Sequence, residues 1–240
     1  MKFENTAVFN FEGAFHGMRA PKESWDKSDS KYDDNNNYII GENDLKLAQT
    51  LIFAGPEHSK FLRQIFVSVD ITAPLYWYKE FDTYKIGTTA NSTSTMHKLT
   101  SKPITLDCFE TDDYNPDLIF ETGIDDRGDN PWEYKLQIKD QVGTCEENSY
   151  CGETIIGFLE SLRKKYLETK DKRYWKELVR WLPESWLQTR TWTANYAVLR
   201  NIYLQRKDHK LSEWHQFCKW VESLPYAKEL ITITKGENNE

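Results

Sequence analysis

The chain of 240 residues has no apolar run near the roughly 20 residues that a membrane-spanning helix needs. That excludes an integral helical membrane protein. Cysteine is scarce: Cys108, Cys145, Cys151 and Cys218 are scattered, and the Cys145/Cys151 spacing is not that of a zinc knuckle. The start, Met1-Lys2-Phe3-Glu4, lacks the apolar stretch of a signal peptide, so a reducing, cytoplasmic setting without structural metal is expected. Positive charge is also in deficit. A formal net charge of −7 argues against a general nucleic-acid binder, which needs a cationic surface to displace condensed counterions. A small anion could still be held where a few cations converge. No Gly-x-Ser-x-Gly elbow, phosphate-binding P-loop, dinucleotide glycine fingerprint or His-Glu-x-x-His pair occurs, and the five histidines have no metal-ligand spacing.

What is present is enough chain for a sizeable core. One domain over residues 1–240 is expected, with an acidic insertion or subdomain at about 107–150. Between Asp107 and Glu147 there are thirteen acidic residues against Arg127, Lys135 and Lys139. Asp125-Asp-Arg-Gly-Asp-Asn130 has clustered carboxylates but not the ligand order of a calcium loop, so it reads as a solvated turn, and Tyr134–Ile138 as an excursion strand.

Residues 1–40 carry little periodicity and read as loop, with the bulky and basic Phe15–Trp25 stretch as a ligand-facing start. Leu45, Ala48, Leu51 and Ile52 then recur at helical spacing, with Asn43 as cap and Gly55-Pro56 as stop. Ile65, Val67, Val69 and Ile71 alternate as a strand buried on one face, and Leu75–Phe81 continues as a helix or strand. The C-terminal third reads as helical. One stripe runs from Ile155 to Tyr166, a second from Trp175 to Leu182 before Pro183, and two more helices are centred on Leu199–Tyr203 and Trp214–Val221. The last residues, from Lys235 on, look frayed.

Two stretches look like site material. One runs from Ala73-Pro74 through Tyr84-Lys85 into the polar Thr88-Thr-Ala-Asn-Ser-Thr-Ser-Thr95 run. As a loop, that run could cradle a phosphate with its amides and hydroxyls; otherwise it is a polar turn or helix cap. The other runs from Leu182-Pro183 through Trp192-Thr193-Ala194-Asn195 to Arg206. Read as one helix, it would place Asn195 and Arg206 on the same face, about 16 Å apart. An amide there suits a ring edge and a guanidinium suits a phosphate or carboxylate, whereas the plainer use of both is to satisfy helix ends and loop carbonyls.

Together these stretches resemble the flavin-dependent thymidylate synthases. That family's signature, Arg-His-Arg-x-x-Ser-x-Asn-Glu-x-Ser-x-Arg, aligns without gaps on Thr83, Tyr84, Lys85, Thr88, Ala90, Asn91, Thr93 and Thr95. Its Leu-Pro, Trp-Thr-x-Asn, Leu, Asn and Arg elements align on Leu182-Pro183, Trp192–Asn195, Leu199, Asn201 and Arg206, and its upstream histidine on His58. The resemblance implies an α+β fold, a sheet flanked by helices, assembled as a homotetramer with sites between subunits. It implies transfer and reduction of a one-carbon unit at C5 of dUMP, with FAD as cofactor and NADPH and methylene-tetrahydrofolate as co-substrates. It assigns His58, Thr83, Tyr84, Lys85, Asn195 and Asn201 to the flavin. It assigns Glu80, Asn91, Ser92, Thr93, Ser94, Thr95 and Arg206 to a pyrimidine deoxynucleotide monophosphate, Glu80 standing where the family has a glutamine.

The departures concern arginines: Thr83, Thr95, Ala197 and Val179 stand where the family has them. Arg19, His97, Lys98 and Arg180 are the available replacements. The altered signature leaves two alternatives: action on a different pyrimidine nucleotide, or a non-catalytic nucleotide-binding or interaction protein of the same fold.

Overall fold

The computed structural model describes residues 1–112 and 151–235, and side chains from residue 155 onward in the second stretch. The expected turn at Asp125–Asn130, the excursion strand at Tyr134–Ile138, the Cys145/Cys151 thiols and the tail beyond Lys235 lie outside that description. The described chain divides into two compact units. The first comprises Met1–Ala73, Trp77–Ser92 and Thr189–Glu240; the second comprises Pro74–Tyr76 and Thr93–Gln188.

The first unit is built on a sheet in the order β1-β4-β6-β5, formed by β1 (Lys2–Phe9), β4 (Phe66–Pro74), β5 (Thr89–Ser92) and β6 (Leu187–Asn195), with a separate hairpin of β2 (Lys31–Tyr32) and β3 (Tyr38–Ile39). β4 is the expected strand: Val67, Val69, Ile71 and Ala73 are fully buried while the residues between them are not. β1 pairs with β4 antiparallel and β5 pairs with β6 antiparallel. Asp70 ties three strands together, accepting from Asn5 Nδ2 at 2.8 Å on β1 and from the Thr191 hydroxyl on β6.

Residues 1–40 are not a loop. They form β1, helix α1 (Phe11–Arg19), two short 3-10 turns and the hairpin. Ala14, Phe15 and Met18 of α1 are buried, so the Phe15–Trp25 stretch begins as core rather than as a ligand-facing surface. Helix α2 (Glu42–Ala54) follows, starting three residues before the Leu45–Ile52 periodicity. Gly41, not Asn43, occupies its N-cap, and Asp29 instead accepts from the backbone amides of Asn43 at 2.9 Å and Asp44 at 3.1 Å. Gly55, at φ +120°, ends it as expected.

Helix α3 (Leu75–Phe81) leads to β5, and short α4 (Thr95–Lys98) follows. After the undescribed stretch come α5 (Cys151–Thr169) and α6 (Lys172–Arg180), then β6, α7 (Tyr196–Arg206), α8 (Ser212–Glu222) and a π-helical turn at Lys228–Thr232. β6 occupies part of the C-terminal third, which the sequence reads as helical. The core beneath the sheet is aromatic: Trp77 stacks on Phe81 at 4.4 Å and lies 5.0 Å from Trp214, and Phe81 lies 4.9 Å from Trp192. Trp77, Trp214 and Phe217 have no solvent exposure, and burying rings of this size supplies much of the driving force.

The second unit packs α5 against α6 over Leu99, Ile104, Phe109, Leu159, Leu162 and Leu178. Arg163 and Glu160 of α5 form a two-pronged pair at 2.7 and 2.6 Å, and Glu160 also accepts from the Ile104 amide at 2.9 Å. Asp171 caps α6 through the Arg173 amide.

Candidate functional site

The C-terminal end of α3 supplies Glu80, and the turn after it supplies Tyr84. That turn is closed by Thr83 and Tyr84 amides donating back to Glu80 and Phe81 carbonyls at 3.1 and 3.0 Å. Gly87, at φ +75°, then redirects the chain into β5; a side chain there would crowd Asn195 and Val198 at 3.3 Å. Across from this turn lie the last residue of α7, Arg206, and the start of α8.

Arg206 donates through Nε to the Tyr84 hydroxyl at 2.7 Å and through Nη1 to Glu80 Oε2 at 3.1 Å. The same Glu80 oxygen accepts from Trp214 Nε1 at 2.8 Å and lies 3.4 Å from His209 Nε2. The guanidinium sits 4.7 Å from the Trp214 ring and 5.6 Å from that of Tyr84, a cation–π cradle on two sides. The Tyr84 hydroxyl donates to Gln205 Oε1 at 3.0 Å, and Gln205 Nε2 donates to Asn201 Oδ1 at 2.9 Å. Four expected site residues, Glu80, Tyr84, Asn201 and Arg206, thus share one hydrogen-bonded network. Arg206 Nη2 has no intramolecular partner among the described residues, and the Arg206 side chain is 20% exposed.

Beside this network is a cavity of about 180 Å³. Phe81 and Trp192 form its apolar wall, Tyr84 and Lys85 its side, and Thr88 to Ala90 its rim. Asp82, also at the wall, pairs with Arg190 of β6 at 2.7 Å, and Arg190 lies 3.7 Å over the Tyr78 ring. Burial pushes the Tyr78 hydroxyl's pKa upward. The cavity can seat one ring system. It is smaller than the roughly 300 Å³ at which sites for drug-sized ligands begin, so a dinucleotide would need more surface than this wall provides.

Other expected site residues have different surroundings. Asn195 is the N-cap of α7: its Oδ1 accepts from the Val198 amide at 3.1 Å, and the residue is buried. It therefore lies ahead of the helix that ends in Arg206, and one of the two plainer uses foreseen for it is the one observed. Thr83 Oγ1 donates to the Glu80 carbonyl at 2.7 Å. Asn91 and Ser92 are exposed in β5, facing Thr191 and Arg190 of β6 in register. The Thr-rich run is consequently half edge strand and not a continuous cradle. Its second half, Thr93 to Thr95, belongs to the other compact unit, where the Thr93 carbonyl accepts from Gln188 at 3.0 Å and Ser94 caps α4 through the His97 amide at 3.2 Å. His58 is exposed in the loop after α2, its amide bonded to the Gly55 carbonyl, and it does not line the Tyr84–Lys85 cavity.

Of the replacement cations, Arg19 is excluded. It is 5% exposed and donates to Asp44 and, at 3.3 Å, to the Ser24 carbonyl. Arg180 pairs with Glu177, and His97 and Lys98 are exposed on α4. Sequence reasoning missed Trp214, His209, Gln205 and Arg190. Trp214 lay in an apolar helical stripe, and nothing in that spacing signals that its indole N–H would find a carboxylate.

Among the described residues no group of histidine, cysteine and carboxylate side chains could hold a metal, and no helix is long and apolar enough to cross a membrane. No family model and no curated protein matches the chain. Solved structures do. Two crystal structures of flavin-dependent thymidylate synthase ThyX from Helicobacter pylori, both with FAD and dUMP, superpose with TM-scores of 0.61 and 0.62. Each has 18% sequence identity and covers 97% of this chain and 98% of its own. The chain is similar to these enzymes over nearly its whole length, and its α+β architecture is a ThyX-like fold.

Proposed function

We propose that this chain is a flavoprotein that binds a pyrimidine deoxynucleotide monophosphate and carries out thymidylate synthase-like transfer and reduction of a one-carbon unit at C5. The observation that carries this reading is the contact between Arg206 Nε and the Tyr84 hydroxyl, 122 residues apart in sequence. It joins the two stretches whose residues resemble the family, at the edge of a ring-sized cavity, in a fold whose neighbours are crystallised with FAD and dUMP.

Tyr84, Lys85 and the Phe81–Trp192 wall fit one flat ring, and Arg206 Nη2 fits an anionic group. FAD, when bound, supplies the hydride carrier between NADPH and the one-carbon unit. The chain's own task is binding and orientation, with no protein nucleophile. Glu80 and Trp214 fix the Arg206 fork before any ligand arrives, which lowers the ordering cost of binding. Asn195 sets the start of α7, and so the path of the helix that carries Asn201 and Arg206. The family resemblance further implies assembly as a homotetramer, in which a second copy would complete the flavin and nucleotide surfaces near Asn91 to Thr95 and His58.

One observation favours a second reading, a nucleotide-binding protein without catalysis. Arg206 already has Glu80 as counter-ion, and the arginines replaced by Thr83, Thr95, Ala197 and Val179 have no substitute in Arg19 or Arg180. The visible spectrum of purified protein, taken after FAD addition and gel filtration, separates the two. Retained flavin that shifts on adding dUMP or dCMP, and does not shift in Arg206→Ala, supports the enzyme. Folded protein that retains no flavin but still binds a nucleotide supports the second reading, and loss of both sinks each.

A further inference from the structure

The first compact unit carries a second, larger cavity of about 630 Å³, within the range usual for small-molecule sites. Its walls are aromatic. Phe11 of α1 meets Tyr226 edge to face at 5.5 Å, and across the hairpin the register partners Tyr32 and Tyr38 meet at 5.4 Å and 68°. Val8, Ile39 and Pro225 complete the apolar lining. Charge is one-sided: among the described residues lining the cavity, Glu12 supplies the one carboxyl group and there is no Lys, Arg or His.

The cavity is held rather than left to chance. Asp33 clamps the hairpin turn through the amides of Asn35 and Asn37 at 2.9 and 2.7 Å. Asp29 and Ser30 fasten the hairpin's base to the start of α2. The Tyr226 hydroxyl accepts from the Ile40 amide at 3.1 Å, and the Tyr32 hydroxyl donates to Glu12 at 2.7 Å. Asn10 and Asn36, both lining residues, adopt left-handed φ of 71° and 63°, a conformation that asparagine tolerates better than most residues.

We infer that this cavity binds a small organic cation with an apolar or aromatic body. Ring faces carry negative quadrupole potential, so several rings around one carboxylate favour a quaternary or protonated ammonium head. The absence of any cation in the lining disfavours phosphates and carboxylates. The size suits a head with a body attached rather than a bare ammonium ion.

Calorimetric titration of the full chain with benzyltrimethylammonium, against benzyl alcohol and benzoate, tests this. Saturable binding of the cation is expected, with benzoate weaker by about tenfold or more and Glu12→Gln weaker by about three- to tenfold. Tyr38→Ala is expected to lose more, at an unchanged far-ultraviolet circular dichroism spectrum. Benzoate binding as tightly as the cation, an unaltered affinity in folded Glu12→Gln, or no saturation up to about 10 mM would overturn the assignment.

Discussion

Two arginine–carboxylate pairs within the same compact unit do opposite jobs. Arg19 and Asp44 are 5% and 0% exposed, and Asp44 also accepts from the Ser28 and Ser30 hydroxyls and the Ser30 amide. Arg206 and Glu80 are 20% and 39% exposed, and their other partners are Tyr84, Trp214 and His209. The first pair is sealed, with one donor from α1 on Asp44 Oδ1 and three from the hairpin approach on Oδ2, and it fastens the N-terminal segment to α2. The second is open on one side and set among aromatic rings at a cavity edge. Burial makes an ion pair costly to break, whereas exposure makes it available to a ligand.

Breaking the sealed pair should have the largest effect. Asp44→Ala leaves the Arg19 guanidinium buried without its counter-ion and should cost about 3–5 kcal/mol of stability, measured by urea unfolding. A loss below about 1 kcal/mol would show that the pair is not the fastening it resembles.

A pair of tryptophan variants tests the open side. Trp214→Phe removes a donor that Glu80 uses, while Trp77→Phe removes a buried indole N–H with no partner among the described residues. Both create similar small voids, so Trp214→Phe should be the worse by about 1–3 kcal/mol. Equal losses would mean that the Glu80 contact is energetically silent.

Acid titration sharpens the comparison differently. Burial acts to raise the Asp44 pKa, but hydrogen bonds from Ser28, Ser30 and Arg19 outweigh it and the net shift is downward. A carboxyl whose folded-state pKa is depressed contributes stability above its unfolded pKa and loses it as pH falls through the folded value. Wild-type stability should therefore drop below the ordinary aspartate pKa of 3.8 more steeply than that of Asp44→Asn. The smallest effect on stability belongs to Arg206→Ala, at most about 1 kcal/mol for a pair this exposed, alongside complete loss of nucleotide-induced change in the bound-flavin spectrum. A large stability loss with nucleotide response intact would reverse the assigned roles of the two pairs.

β4 was legible because Val67, Val69 and Ile71 put apolar side chains on every buried position. β6 was not, because its buried positions include Gln188 and Asn195, and Arg190 lies half-covered over Tyr78, so the alternation carries no hydrophobic signal. β1 escaped for another reason. Its register shifts between Glu4 and Ala7, with Asn5 at φ 52°, which breaks the phase of Phe3 against Val8. At the candidate site, Tyr84, Lys85, Glu80 and Arg206 were singled out through family resemblance, whereas Trp214 and His209 enter by long-range packing that no spacing encodes. The Thr-rich run stayed open to two readings because Thr, Ser and Asn serve equally as ligand contacts, edge-strand residues and helix caps, and here Ser94 is a cap.

The shifted register of β1 has a further consequence for how copies of this chain can meet. Among the described residues β1 and β5 are the two outer strands of the sheet, and an outer strand with a straight row of unpaired amides and carbonyls invites another chain to add on. β1 has its pairing register broken between Glu4 and Ala7 and carries Lys2 and Glu4. β5 is four residues long and fully exposed, without a large apolar side chain. Both edges are thereby blunted against fibril-like stacking by other copies of the chain.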